Sequence, residues 1–193
     1  MKLILASASP RRKELLAKTG FSFDIIPAKG EEKITKEIPA EVVMELSQQK
    51  AQEIAEKQTE DCIIIGADTI VAKGDTIMGK PKDEADAFRM LEMISDDCHQ
   101  VYTGVTIIRT GKNPQTITFA EKTDVYLYPI SEKDIHAYIK SGDPMDKAGA
   151  YGIQGTASLF VSGIKGDYFN VVGLPVCALA ILLRDFGIKI LDK

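Results

Sequence analysis

The sequence predicts an α/β protein built on a mixed sheet. Two observations carry this. Strand-like runs alternate with helical stretches along most of the 193 residues, and two long strand-like segments follow one another across a turn, a hairpin pair that an all-parallel sheet lacks. Composition agrees: 45% hydrophobic and 27% charged residues are the proportions of a soluble globular protein. At this length one domain is expected over residues 1–193, or one domain with two lobes.

The elements are read in order. Leu3, Ile4 and Leu5 form a short buried-strand pattern. Ser9 followed by Pro10 reads as an N-cap with proline in the first helical position, and the helix ends near Gly20. Phe21–Pro27 leads into an acidic loop, AKGEEKITKEIP, and a second helix runs from about Pro39 to Lys57. CIIIGADTIVA is strongly strand-like, with a hairpin signal in the KGDT that follows. A third helix follows GKPKDEAD, starting at Asp83 with Asp86 placed to close the cap. HQVYTGVTIIR and TITFAEKTDVYLYPI are the long strands, joined by TGKNP. SEKDIHAYIKSG is a short helix capped by Ser131. A glycine-rich segment from Ser141 to Gly173, whose KGDY reads as a Gly-Asp hairpin turn or as part of a ligand loop, precedes a last helix in PVCALAILLRDFG.

Charge and composition exclude several functions. A formal charge of −4 supplies no basic excess for general nucleic-acid binding, so any basic site is local. Cys62, Cys98 and Cys177 are odd in number and lack CxxC spacing, which fits reduced thiols buried as small hydrophobes. His99 and His136 have no ligand-spaced partner, which argues against a zinc site or a Ser-His-Asp triad. Any metal would take oxygen ligands, which favours magnesium or manganese. The start MKLILAS has no signal core and no run reaches membrane-spanning length, so a cytoplasmic protein is expected.

Chemistry shows where local patterns break. Arg11 and Arg12 occupy the first turn of a helix, where free N–H groups already make the potential positive. Either they are solvated and paired with Glu14 or a distant acid, or, with the Ser7 and Ser9 hydroxyls, they await a polyanion. Asp68 interrupts an otherwise apolar strand and needs a cation, a hydrogen-bond network or a cleft, while Gly66 on the same face leaves room for another group to approach. Lys50 lies on the apolar stripe of Val43, Leu46 and Ile54, either snorkelling or pointing at what the stripe faces. Glu31 and Glu32 sit in the acidic loop, and Lys80 precedes Pro81. In SGDPMDKAGAYGIQGTASLF, glycines alternate with Asp143, Asp146, Lys147 and Gln154; Lys165 and Asp167 follow. Such a segment suits backbone approach to a flat ligand, with Gln154 facing a base edge. Cations and carboxylates spread along a chain suit a polyphosphate ester with a metal ion, although spacing does not separate hydrolysis, phosphoryl transfer and nucleotide binding.

LASASPRRKELL, GADTIV, GKPKD, DPMDKAGAYGIQG and KGDYFNVVGLP, in that order from end to end, resemble the Maf family of nucleoside triphosphate pyrophosphatases. The resemblance implies an elongated α/β fold similar to the inosine triphosphate pyrophosphatases, with a central cleft between two lobes and often a homodimer. It implies hydrolysis between the α and β phosphates of a nucleoside triphosphate with a divalent cation. Asp68 matches the proton acceptor, Ser9, Arg11 and Arg12 the phosphate motif, and Glu32, Lys50 and Lys80 the charged cleft. Glu32 and Asp68 become the expected metal ligands, and Ser7, Lys147 and Lys165 further substrate contacts. Arg12, Thr69 and Gln154 stand where the dTTP and UTP branch differs from the 7-methyl-GTP branch. The family is also associated with arrest of septum formation, so a nucleotide-binding regulator is the alternative.

Overall fold

The structure is a computed structural model that describes residues 1–188. The strands are β1 (Lys2–Leu5), β2 (Asp24–Ile25), β3 (Cys62–Lys73), β4 (Thr76–Met78), β5 (Cys98–Arg109), β6 (Gln115–Leu127) and β7 (Val161–Lys165). The α-helices are α1 (Pro10–Ala17), α2 (Pro39–Ala55), α3 (Glu84–Ile94), α4 (Glu132–Lys140), α5 (Tyr168–Val172) and α6 (Val176–Leu183). The strands hydrogen-bond in the order β2-β1-β3-β5-β6-β7, with β4 on β3. β1 runs parallel to both β2 and β3, whereas β3/β4 and β6/β7 are antiparallel, so the sheet is mixed as expected.

The chain divides into two compact units. The first comprises Met1–Asp68, Thr103–Glu121 and the segment from Gly173; the second comprises Thr69–Tyr102 and Lys122–Val172. In the first, Ile4, Ile64, Ile54 and Ile108 share one apolar cluster. In the second, α3 and α4 pack Leu91, Ile94, Ile135 and Ile139 with Val71, Val101 and Val125 of the strands. Among the described residues no helix is long and apolar enough to cross a membrane.

Local signals act where expected. Ser9 caps α1 by accepting from the Arg12 N–H, and Pro10 starts the helix. Asp83 caps α3 by accepting from the Asp86 N–H, and the Asp86 carboxylate accepts from the N–H of Lys82, one residue before the cap. Ser131 caps α4. Two expectations are corrected. After KGD the chain turns into α5 rather than a second hairpin strand, with the Asp167 carboxylate accepting from the Phe169 N–H at 2.8 Å. The three cysteines are free, but only Cys62 is buried; Cys177 is exposed on α6.

Candidate active site

Asp68 and Lys50 meet because two glycines let a helix touch the sheet. A Cβ on Gly66 of β3 would lie 2.4 Å from the Ser47 carbonyl oxygen, and one on Gly104 of β5 would lie 2.1 Å from that of Val43. The space at Gly66 is therefore filled by the backbone of α2. Lys50 follows Ser47 by three residues, and its ammonium donates to Asp68 Oδ1. The same ammonium lies 2.9 Å from Glu32 Oε1. Both partners are enclosed, with side chains 19% and 14% exposed for Lys50 and Asp68, while Glu32 is half exposed. Snorkelling is thus excluded for Lys50, since its charge turns inward to the carboxylate.

The acidic loop reaches this pair along a ladder on α2. Glu53 accepts from the Lys29 and Gly30 N–H groups, Gln49 exchanges two bonds with the Lys33 backbone, and Glu45 accepts from Thr35. These three side chains are four residues apart, so they line one helix face and hold the loop in register. The hydrogen bonds keep the Glu45 and Glu53 carboxyls below their ordinary values. The register brings Glu32, rather than Glu31, to Lys50.

In the same unit the turn between β1 and α1 is organised by Arg12. Its Nε donates to the Gly173 carbonyl at 2.8 Å and its Nη1 to Ser7 Oγ at 3.2 Å; Ser7 Oγ also accepts from the Ser9 N–H. Burial lowers the Arg12 pKa from its ordinary value, Asp68 counters this, Arg11 adds to the lowering and Glu32 counters it further. An arginine remains charged throughout. Arg11 is half-buried beside it in the first turn. Ser7, Ser9 and Arg12 form one hydrogen-bonded group and Lys50, Glu32 and Asp68 another, and both carboxylates of the second act on the charge of Arg12.

The other expected residues belong to the second unit. Thr69 follows Asp68 on β3 and is half-buried. Lys80 is exposed in the turn before α3, next to Gly79, whose carbonyl accepts from the Gly149 N–H at 3.0 Å. Gln154 is exposed in a short turn, and Lys165 is exposed at the end of β7, in register with Asp124. Lys147 is enclosed among acids of its own segment, Asp143 and Asp146. Burial alone would raise the Asp143 carboxyl, but hydrogen bonds from Lys147 and Tyr138 outweigh it and hold the carboxyl below the ordinary value.

A family model described as Maf-like protein matches residues 2–186. The chain belongs to this family. The Maf-like chain is 54% identical to the dTTP/UTP pyrophosphatase of Agathobacter rectalis, over 98% of its own length and 99% of the relative's. It is 50% identical to the dTTP/UTP pyrophosphatase of Bacillus cereus, over 98% and 97% of the two chains. Among solved structures, a HAM1 protein from Coxiella burnetii is a distant likeness, covering 96% of this chain and 99% of its own at 14% identity and a TM-score of 0.48.

Several organising contacts of the Maf-like fold escape a reading of the sequence. Gly173 supplies a backbone carbonyl, which any residue carries, so nothing marks it as the acceptor for Arg12. The ladder of Glu45, Gln49 and Glu53 has a signal, its spacing of four, but its partner is an irregular loop with no periodicity to match. Tyr138 and Asp143 lie five residues apart, a separation that flags no pairing by itself.

Proposed function

We propose that this Maf-like protein is a nucleoside triphosphate pyrophosphatase that hydrolyses dTTP and UTP to the monophosphate and pyrophosphate. The supporting observation is the Lys50 ammonium held between Glu32 and Asp68, the two carboxylates that act on the charge of Arg12, in a chain 54% identical to a dTTP/UTP pyrophosphatase. In this reading the guanidinium groups of Arg11 and Arg12, the Ser7 and Ser9 hydroxyls and the N–H groups opening α1 bind phosphate oxygens. Asp68 accepts a proton from a water attacking the α-phosphorus, while Lys50 fixes the orientation of its carboxylate. The bond to the α–β bridging oxygen breaks, and the cations, Lys80 and Lys165 among them, stabilise the departing pyrophosphate. Thr69 and Gln154 read the pyrimidine by hydrogen bonding. The two units together serve as a single catalytic domain.

The donor set of Glu32 and Asp68 fits a hard divalent cation, since their oxygens already converge on one positive charge. Among the described residues no three His, Cys, Asp or Glu side chains gather to hold a metal. Phosphate oxygens and water would therefore complete the shell, an arrangement magnesium favours and manganese accepts. When bound there, the ion would screen the triphosphate and acidify a water. The proposal includes a homodimer, checked by light scattering, and a cytoplasmic setting, which three free cysteines suit.

The test is release of pyrophosphate against orthophosphate from dTTP, UTP, CTP, GTP and 7-methyl-GTP with magnesium or manganese. Pyrophosphate from dTTP and UTP is expected, and Asp68→Asn should lower kcat by ~10²–10⁴-fold with an unchanged unfolding midpoint. Orthophosphate as product would overturn the bond assignment. Tight binding without turnover would leave a regulator of septum formation in its place.

A further inference from the structure

The segment that carries Gln154 is built around one ammonium. A lysine has three N–H donors, and Lys147 Nζ meets three acceptors: the Asp143 carbonyl at 2.5 Å, Asp143 Oδ1 at 3.0 Å and Asp146 Oδ1 at 2.7 Å. Its side chain is 13% exposed. The other carboxylate oxygen of Asp143 accepts from the Tyr138 hydroxyl at 2.8 Å, which ties the pair to buried Tyr138 of α4.

The stem of Lys147 lies directly under the turn that presents Gln154. A Cβ on Gly152 would fall 2.7 Å from both Cδ and Cε of Lys147, and one on Gly155 would fall 3.1 Å from Asp143 Oδ2. Gly152 and Gly155 close that turn, the Gly155 N–H donating to the Gly152 carbonyl at 3.2 Å. Just upstream the chain reverses through two left-handed residues, Gly149 at φ 67° and the buried Ala150 at φ 60°. It is then pinned by the Tyr151 hydroxyl, 2.7 Å from His99 Nε2. The turn therefore rests on the Lys147–Asp143 pair at one side and on the Tyr151 anchor at the other.

From these contacts we infer that Lys147 is a positioning residue for base selection: its charge is held inside its own loop, and it acts on the substrate through the attitude of the turn bearing Gln154. A lysine that neutralised phosphate would direct a donor outward, and the three donors of Lys147 all turn inward. The inference rests on the proposed hydrolysis of dTTP and UTP and deepens it.

The experiment compares Lys147→Met, which keeps the length of the stem and removes its charge, with Asp143→Asn and Gly152→Ala, which disturb the same pair from its other sides. For wild type and variants, kcat/KM is measured for dTTP, UTP and CTP, together with inhibition by inorganic pyrophosphate. Hydrogen exchange is followed over residues 149–155. The expected result is a loss of the preference for dTTP over CTP by ~10-fold or more in all three variants, with the pyrophosphate inhibition constant within about twofold of wild type. Exchange over 149–155 should rise. Equal slowing of all three triphosphates with pyrophosphate inhibition weakened ~10-fold or more would make Lys147 a phosphate ligand and overturn the inference. Unaltered preference in folded Lys147→Met, or in the other two variants should that one not fold, would also overturn it. A wild-type protein that releases no pyrophosphate from any triphosphate would instead remove the underlying hydrolase reading, and this inference with it.

Discussion

His99 is fully buried, its Nε2 on the Tyr151 hydroxyl and its ring edge-on to the tyrosine at 5.1 Å. Among the described residues Nδ1 has no hydrogen-bond partner. Burial lowers the imidazole pKa from 6.5 to about 4, nearby Lys73 adds to the lowering, and Asp97 opposes it. The sign of the pH effect follows. Between 6.5 and about 4 the unfolded chain binds a proton at this site that the native state refuses, so stability falls as pH drops through that window and is unaffected above it. A shift of this size corresponds to roughly 3 kcal/mol over the whole window. His99→Gln keeps a hydrogen-bonding side chain and does not titrate. Urea unfolding at about pH 7 and about pH 5 should show the variant losing roughly 2 kcal/mol less than wild type between the two. Equal losses would mean that native His99 takes its proton at the ordinary pH.

Helix α2 carries Lys50, holds the acidic loop and lies against β3 and β5 through Gly66 and Gly104. The contacts at both glycines are with backbone and, at Gly66, also with the Ala51 Cβ, none of which can swing aside, so an added methyl must push the helix. Gly66→Ala and Gly104→Ala are each expected to cost ~1–3 kcal/mol by thermal or urea unfolding. Gly163→Ala, where a Cβ would meet nothing within 4 Å and φ is not left-handed, should change stability by less than ~0.5 kcal/mol. Gly66→Ala should also reduce kcat, because the displaced stretch of α2 leads directly to Lys50; full activity would separate helix placement from the Lys50–Asp68 contact. At this scale the sequence was most informative. Ser9-Pro10, Asp83 with Asp86, and Ser131 state their helix starts locally, and apolar runs fix the long strands. β2 is invisible because two residues carry no periodicity and exist as a strand only through pairing with Ile4 and Leu5. Asp68 and Lys50 stood out as charges in apolar patterns, and the structure joins them. Lys147 was visible as a charge, with Asp143 four residues before it, but not as the support of the turn bearing Gln154, because that contact depends on how the chain folds back at Gly149.

The order of segments along the chain sets a condition on the molecule. The first unit needs residues before Asp68, a middle stretch and the residues from Gly173. The last of these contribute Leu174, Leu179, Leu183 and Phe186, all buried, and the Phe186 carbonyl accepts from Arg109. Each such side chain is worth ~2–5 kcal/mol when removed, so losing all four forfeits ~8–20 kcal/mol, as much as the ~5–15 kcal/mol that holds a typical domain. A chain ending at residue 172 should therefore show no cooperative unfolding of the first unit by calorimetry, and a sharp transition with wild-type enthalpy would refute this. The bond from Arg12 to the Gly173 carbonyl spans 161 positions, which gives it a meaning during synthesis. The arginine turn leaves the ribosome early and waits for its acceptor until Gly173 has been made, whereas the second unit is complete at Val172. A nascent chain that stops short of Gly173 thus holds Arg12 without that contact, and the turn between β1 and α1 takes its final arrangement only after this residue has been translated.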